Sequence, residues 1–271
     1  MSESAQIESA LAQRLRAFTP ARVGLARTGV SLETRDLLDF QRAHAQARDA
    51  VHSRLEAAAL AASLAQISSA KVLRLHSACA DRATYLQRPD LGRILDEASR
   101  NQLAALSTQA NNAAHQLSLI VADGLSALAV ERHAAPLISE LLPHLEGSPR
   151  APLCVVEQAR VAIGDEIGLA LGAEISVVLI GERPGLSSPD SLGIYVTFDP
   201  RPGRTDAERN CISNIRAEGL SYPQATAQLV YYLTEARRRK LTGVALKEES
   251  GKKELSKEKL IKEELKKLKE G

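Results

Sequence analysis

Residues 174–200 read "EISVVLIGERPGLSSPDSLGIYVTFDP". Two apolar runs rich in Val and Ile flank a polar link that holds Glu182, Arg183, a proline, a glycine and several serines. Each run is short, and its apolar residues are nearly continuous rather than alternating. That is the pattern of strands buried on both faces. Working outward, "LSLIVAD" (117–123) and "APLCVVEQ" (151–158) are strands of the same kind. Between and after them lie helical stretches, "GLSALAVERHAAPLISELLPHL" (124–145), "GDEIGLALG" (164–172) and "SYPQATAQLVYYLTEARRR" (221–239). Gly172 stops the second. The third turns Leu229, Leu233 and Ala236 inward and ends in arginines that suit the negative end of a helix. Strand and helix in alternation predict an α/β fold, a largely parallel Rossmann-like sheet covered by helices.

Upstream the pattern is mainly helical. Ile7, Ala10, Leu11, Leu15 and Phe18 recur at helical spacing, either on a helix packed on its own domain or on an amphipathic handle for a partner. Ser31 is a candidate cap, with Glu33 in the first turn, for a long helix whose apolar stripe runs through Leu37, Phe40, His44, Ala47, Val51 and Leu55. The Ala-rich run to Ala70 extends that helix or starts another. "KVLRLHSACADRATYLQRPDLGRIL" reads as a short strand, a loop and a helix, with Pro89 in a first helical turn. Three regions are therefore expected: a mainly helical part over 1–110, an α/β part over 111–247, and a tail over 248–271. Before Lys247 the only lysines are Lys71 and Lys240, whereas residues 252–271 carry eight Lys and five Glu. The tail reads as a solvated helix and an appendage.

Composition narrows the function. The 271 residues are 44% hydrophobic and 25% charged, as in an ordinary soluble globular chain. Only 3% are aromatic, and the net charge is +2, which leaves neither the stacking platforms nor the basic patch of a nucleic-acid binder. Cys79, Cys154 and Cys211 are too few and too scattered for a disulfide framework and suit a reducing compartment. No run approaches a membrane span, and no signal peptide opens the chain. No Walker loop, GxGxxG, CxxC, HExxH or GxSxG is present.

In a parallel α/β sheet, ligands lie beyond the carboxyl ends of the strands. Four segments fall there: Asp123–Ser126, Glu157–Val161, Gly181–Ser191 and the loop after Phe198. The Glu182 loop is either a ligand rim, with glycines for close approach and serines for hydrogen bonds, or a strand exit with surface ion pairs. The stretch 199–222, "DPRPGRTDAERNCISNIRAEGLSY", reads as a long polar loop, in which Cys211 is a small packed residue or a soft contact to a ligand.

Taken together, "ARVGLARTG", "RDLLDFQRAHAQARDAV", "YLQRPDLGRILDEA", "IVADGLSALAV", "RVAIGDEIG", "VVLIGERPGLSSPDSLGIY", "RTDAERNCISNIRAEGLSY" and "LTGVALK" resemble the small subunit of ethanolamine ammonia-lyase, in that family's order. The resemblance spans roughly residues 20 to 247 and leaves out the tail and the detail of residues 56–70. It implies a non-catalytic subunit that covers adenosylcobalamin through Val161, Glu182 and Cys211. A large barrel subunit would hold the substrate and the catalytic residues, in a hetero-oligomer of paired large and small chains. It also implies a bacterial cytoplasmic setting, with a protein-shelled compartment for ethanolamine breakdown as one location. The family converts ethanolamine to acetaldehyde and ammonia. The D-x-H-x-x-G motif that places histidine on cobalt is absent; His133 and His76 have the wrong neighbours, so no metal ligand is expected from this chain. Two other readings stay open: a self-sufficient α/β enzyme with Asp123, Glu157 or Asp165 as base, and an assembly scaffold.

Overall fold

The structure, a computed structural model of the single chain, describes residues 12, 14–19, 21–25, 27–109, 115–147 and 150–247. The tail and the expected N-terminal positions Ile7, Ala10 and Leu11 lie outside the described residues; Leu15 and Phe18 are exposed. A two-residue ribbon, β1 (Arg27–Thr28) and β2 (Ser31–Leu32), precedes helix α1 (Thr34–His52). Ser31 is therefore not the helix cap: it pairs with Thr28 in the ribbon, and Glu33 takes the N-cap position. Only Ala43 and Ala50 of α1 are buried, and Leu37, Phe40 and His44 of the expected stripe face outward. The chain breaks after His52, and the Ala-rich run forms its own helix, α2 (Ala57–Ser68), which buries Leu60 and Leu64.

The main sheet takes its first strand, β3 (Val72–His76), from the stretch read as strand, loop and helix. Helix α3 (Arg82–Gln87) follows, capped by the Asp81 carboxylate on the Thr84 amide. The segment after Pro89 forms only a 3-10 turn, Leu91–Arg93, before α4 (Glu97–Gln109). Strand β4 (His115–Ala122), α5 (Ala127–Leu141), β5 (Leu153–Glu157), α6 (Ile163–Ala170) and β6 (Ala173–Gly181) continue the alternation. Strands β3, β5, β4 and β6 lie side by side and parallel, as the continuous apolar runs predict.

Two more strands extend the sheet. Strand β7 (Leu192–Phe198) pairs antiparallel with β6, because the link Glu182–Ser191 contains no crossover helix. Strand β8 (Asn210–Ile215) pairs antiparallel with β7. Two expectations are corrected here. The loop after Phe198 lies at the opposite end of the sheet from the ligand rim, since Phe198 pairs with Ile175 near the start of β6. The stretch around Cys211 is not a loop but the edge strand, whose alternation of buried Asn210 and Ile212 with exposed Cys211 and Ser213 is masked by its polar residues. Helix α7 (Tyr222–Arg239) closes the fold, with Ser221 and Gln224 forming its capping box.

Two cores result, one on each face of the sheet. Leu119, Val121, Val177, Ile194 and Ile212 pack under α2, α5 and α7. On the other face Ile120, Val156, Val178 and Ile180 pack with Ile163 and Ile167 of α6 and Leu103 of α4. The fold is thus α/β with helices on both faces, and the mixed part of the sheet is confined to β7 and β8. Helix α6 sits unusually close to the sheet through glycines one turn apart. A Cβ on Gly164 would overlap the Val178 methyl and lie 2.9 Å from Ser176 Oγ, and one on Gly168 would lie 2.6 Å from Pro200 Cγ. Among the described residues no helix is long and apolar enough to cross a membrane. Gly164→Ala forces α6 off β6 and is expected to cost about 1–3 kcal/mol, the usual range for overpacking; urea denaturation of the full chain measures it.

Candidate functional site

Each segment of the carboxyl rim is held by a side chain whose role the sequence left open. Asp123, at the end of β4, is fully buried. Its carboxylate accepts the amides of Gln158 and Ala159, both at 2.9 Å, and pairs with Arg82 at 3.4 Å. These bonds hold the chain just after β5 in a sharp turn, where Gln158 takes φ 55. Arg82 also donates to the Gly124 and Val51 carbonyls, tying α3 and the end of α1 to the rim. Two guanidinium groups lie over the Tyr85 ring, Arg82 at 4.6 Å and Arg160 at 4.2 Å from its centroid. Val161 follows, half-buried in the turn that opens α6, and packs on the α6-side core.

The link after β6 is pinned from several sides. Ser126 donates to the Pro189 carbonyl, and Arg132 of α5 reaches Asp190 at 2.7 Å. Buried His133 bonds the Tyr222 hydroxyl at 2.8 Å, and burial holds its imidazole below the usual range. Arg216 donates to the Ser187 carbonyl at 3.0 Å. Within this frame Glu182 is fixed through one oxygen: Oε2 accepts the Ser191 hydroxyl and the Asn214 amide. The other oxygen, Oε1, lies over Gly193, where a Cβ would stand 2.8 Å away. Gly193 therefore leaves the space that the carboxylate occupies. Arg183 is exposed.

Cys211 reaches this face from the edge strand. The three residues Arg209, Asn210 and Cys211 each tie to a different element. Arg209 makes a bidentate, buried pair with Asp165 of α6 at 2.7 Å and donates to Thr197 of β7. Asn210 accepts the Gly243 amide and donates to the Leu246 carbonyl, binding the segment 242–246 over the start of β8. Cys211 pairs with Tyr195. Burial pushes the Cys211 thiol up, the neighbouring Tyr195 side chain pulls it partly back, and the nearby Glu182 charge pushes it up again.

Val161, Glu182 and Cys211 thus stand on the same face of the sheet, the one covered by α4 and α6. The helices there cover β3 to β6, whereas Cys211 on β8 is exposed and Tyr195 on β7 is half-buried. The three bases open to a self-sufficient enzyme are differently placed. Asp123 and Asp165 are buried and committed to Arg82 and Arg209, whereas Glu157 is half-buried at the end of β5. Among the described residues no three His, Cys, Asp or Glu side chains could share a metal ion. Sequence reasoning missed Ser191, Gly193, Tyr195, Arg209 and Asn214. The strand periodicity of "LGIYVTF" puts Gly193 and Tyr195 on one side, but which side depends on pairings not visible locally.

Gly193→Ala is expected to leave the fold intact, with a Tm change of only a few degrees for about 1 kcal/mol, and to swing the Glu182 carboxylate off Ser191; a crystal structure of the variant checks this. Asp123 supplies a pH effect. Burial raises its carboxyl from 3.8 to about 6, against the opposing pull of the Ala159 amide and Arg82. A raised folded-state pKa stabilises the fold below the unfolded pKa, and that stability is lost as pH rises through the folded value. The difference in unfolding free energy between wild type and Asp123→Asn is therefore expected to shrink between about pH 4 and about pH 7, as read from urea denaturation across that window.

Comparison with known proteins places the chain in a family. A model of the family described as "Ethanolamine ammonia-lyase light chain (EutC)" matches residues 9–247. The chain is 56% identical over 238 residues to the ethanolamine ammonia-lyase small subunit of Pseudomonas fluorescens strain Pf0-1, covering 87% of this chain and 86% of that protein. It is 56% identical over 239 residues to that of Xanthomonas campestris pv. campestris strain B100, covering 88% and 87%. For Pseudomonas aeruginosa strain LESB58 the figures are 57% over 242 residues, covering 87% and 86%. Identity at this level over nearly the whole α/β body means that the chain belongs to the ethanolamine ammonia-lyase light-chain family, the small subunits of a lyase.

Proposed function

We propose that this chain covers one side of adenosylcobalamin in an ethanolamine ammonia-lyase, while a large subunit holds ethanolamine and the catalytic residues. The observation that carries the reading is the stretch of sheet face on β7 and β8 beyond the covering helices, which carries Glu182 and Cys211, with Val161 on the same side of the sheet in the turn that opens α6. A corrinoid is a broad disc with apolar faces and amide arms. Such a ligand needs an open face rather than a closed pocket, with acceptors at its margin, and Gly193 supplies a cradle of this kind by seating Glu182 with one oxygen unspent. Glu182 would accept an amide or ribose hydroxyl hydrogen, Val161 would give flat apolar contact, and Cys211 a compact polarizable one. When bound, adenosylcobalamin supplies a carbon-centred radical through its cobalt–carbon bond. This chain's residues bind, orient and exclude water; none is asked to move a proton.

The exposed side of α1 supports a second part of the reading. Leu37, Leu38 and Phe40 are exposed together, and the Phe40 and His44 rings stack at 6.1 Å. An apolar face of this kind on a small subunit suits burial against the large one. The setting would be bacterial ethanolamine breakdown, in the cytoplasm or in a protein-shelled compartment.

Ethanolamine deamination with added adenosylcobalamin is expected from a mixture of this chain with a large subunit, and from neither chain alone. Glu182→Ala is expected to weaken cofactor binding by roughly tenfold, the loss of one or two charge-assisted hydrogen bonds. Turnover by this chain alone would sink the reading.

A further inference from the structure

The link between β6 and β7 continues their hairpin. Gly181 pairs with Leu192, and the Glu182 amide donates to the Ser191 carbonyl at 2.9 Å. Further out, Gly185 and Ser188 exchange backbone hydrogen bonds of 3.0 and 3.2 Å, which leaves Leu186 and Ser187 at the tip. Glu182 and Ser191 therefore stand opposite each other on the two arms. Opposite residues of an antiparallel pair share a face, and neighbours along one arm take opposite faces. Ser191, which is buried, thus lies on the α6 side with Glu182 and Gly193, and its hydroxyl donates to Glu182 Oε2. Asp190 takes the other side, where Arg132 of α5 holds it at 2.7 Å and His133 Nε2 lies 3.6 Å away. One residue earlier, the Pro189 carbonyl accepts the hydroxyl of Ser126, the N-cap of α5, at 2.9 Å.

Strand β8 meets the same oxygen. Between the pairs Leu192–Ile215 and Ile194–Ile212, β8 carries one residue more than β7. Asn214 lies in this bulge at φ 61, a conformation that asparagine tolerates, and its amide donates to Glu182 Oε2 at 3.3 Å. Oε2 thus takes two hydrogens, whereas among the described residues Oε1 takes none.

We propose that Ser191 is the positioning residue of Glu182, and that α5 sets Ser191 in turn through its clamp on Pro189 and Asp190. This rests on the reading of Glu182 as a cofactor contact given under Proposed function. A glutamate side chain on an open face samples several rotamers, and a ligand that binds it must freeze them. With Oε2 tied to Ser191 and Asn214, the carboxylate is frozen beforehand. Oε1 alone is left, so the site takes one hydrogen from an amide or a hydroxyl. The clamp acts from the reverse of the sheet, because α5 packs in the core on the side opposite Glu182. Ser126 and Arg132 thereby reach the cofactor face only through the backbone of residues 189–191.

A double-mutant cycle tests this, with cyanocobalamin affinity of the complex with a large subunit read by equilibrium dialysis. Ser191→Ala is expected to weaken binding about 3–5-fold, the lower part of the range for one lost hydrogen bond. In a Glu182→Ala background the same change is expected to add nothing, because Ser191 acts only through the carboxylate. Asp190→Ala should follow that pattern with a smaller loss. A crystal structure of the full-length Ser191→Ala chain, free of any corrinoid, should show the Glu182 carboxylate moved off the Asn214 amide. Wild-type affinity in Ser191→Ala with Glu182→Ala weakened, or an equal loss from Ser191→Ala in both backgrounds, would overturn the positioning role and leave the cofactor contact standing. Unchanged affinity in Glu182→Ala would overturn the cofactor contact itself. The crystal structure would then decide the rest: a carboxylate still in its wild-type place in Ser191→Ala would overturn the role of Ser191 as well.

Discussion

The buried pair of Asp165 and Arg209 is the constraint on which the site depends. Arg209 immediately precedes strand β8, and Asp165 lies in the first turn of α6, so one bidentate contact joins the edge strand to the helix that begins just after Val161. Both side chains are almost fully out of water, with exposures of 1% and 3%. Breaking a buried pair by removing one partner leaves a stranded charge, a loss of about 3–5 kcal/mol. The hydroxyl of Thr197 takes one more guanidinium hydrogen, so β7 is drawn into the same contact. Without this tie the strand bearing Cys211 would be an ordinary sheet edge, free to fray.

The antiparallel extension gives the molecule a feature that a wholly parallel sheet lacks. In the parallel part each face is sealed by a helix, because each crossover must pass over it. Strands β7 and β8 arrive by hairpin-like turns and bring no helix to the α6 side. The face there stays partly open while its reverse is sealed by α7. The glycines of "IGDEIG" set how closely α6 lies on β6, and hence where the covered part of the face ends.

Much of this was legible in the sequence. Strands β4 to β7, α5 and α7 follow from apolar runs and periodicity, because burial on both faces writes itself directly into composition. Strand β8 was hidden: an edge strand needs apolar residues on one side only, and Asn210, Ser213 and Asn214 made it look like loop. The Glu182 link follows the carboxyl end of β6, as the apolar run before it predicts, but its fixing by Ser191 and Asn214 comes from partners 9 and 32 residues away, which no local pattern carries. Asp123 and Asp165 looked like candidate bases because a carboxylate at a strand end has the same appearance whether it anchors a turn or abstracts a proton. Only the arginines beside them decide, and those come from distant parts of the chain. Ser31 failed as a cap for a related reason: two residues of ribbon pairing with Thr28 left it out of reach of the helix.

The segment after α7 bears on how the molecule can be handled. Asn210 clasps Gly243 and Leu246, Thr242 accepts the amide of Phe198, and the Tyr231 hydroxyl donates to the Lys247 carbonyl. Phe198 marks the amino end of the parallel strands, so the chain is anchored at the pole of the sheet remote from Glu182. A purification handle, a dye or a tether attached at Lys247 therefore starts beside Tyr231 on the side of the sheet that α7 covers, the reverse of the face that carries Glu182 and Cys211.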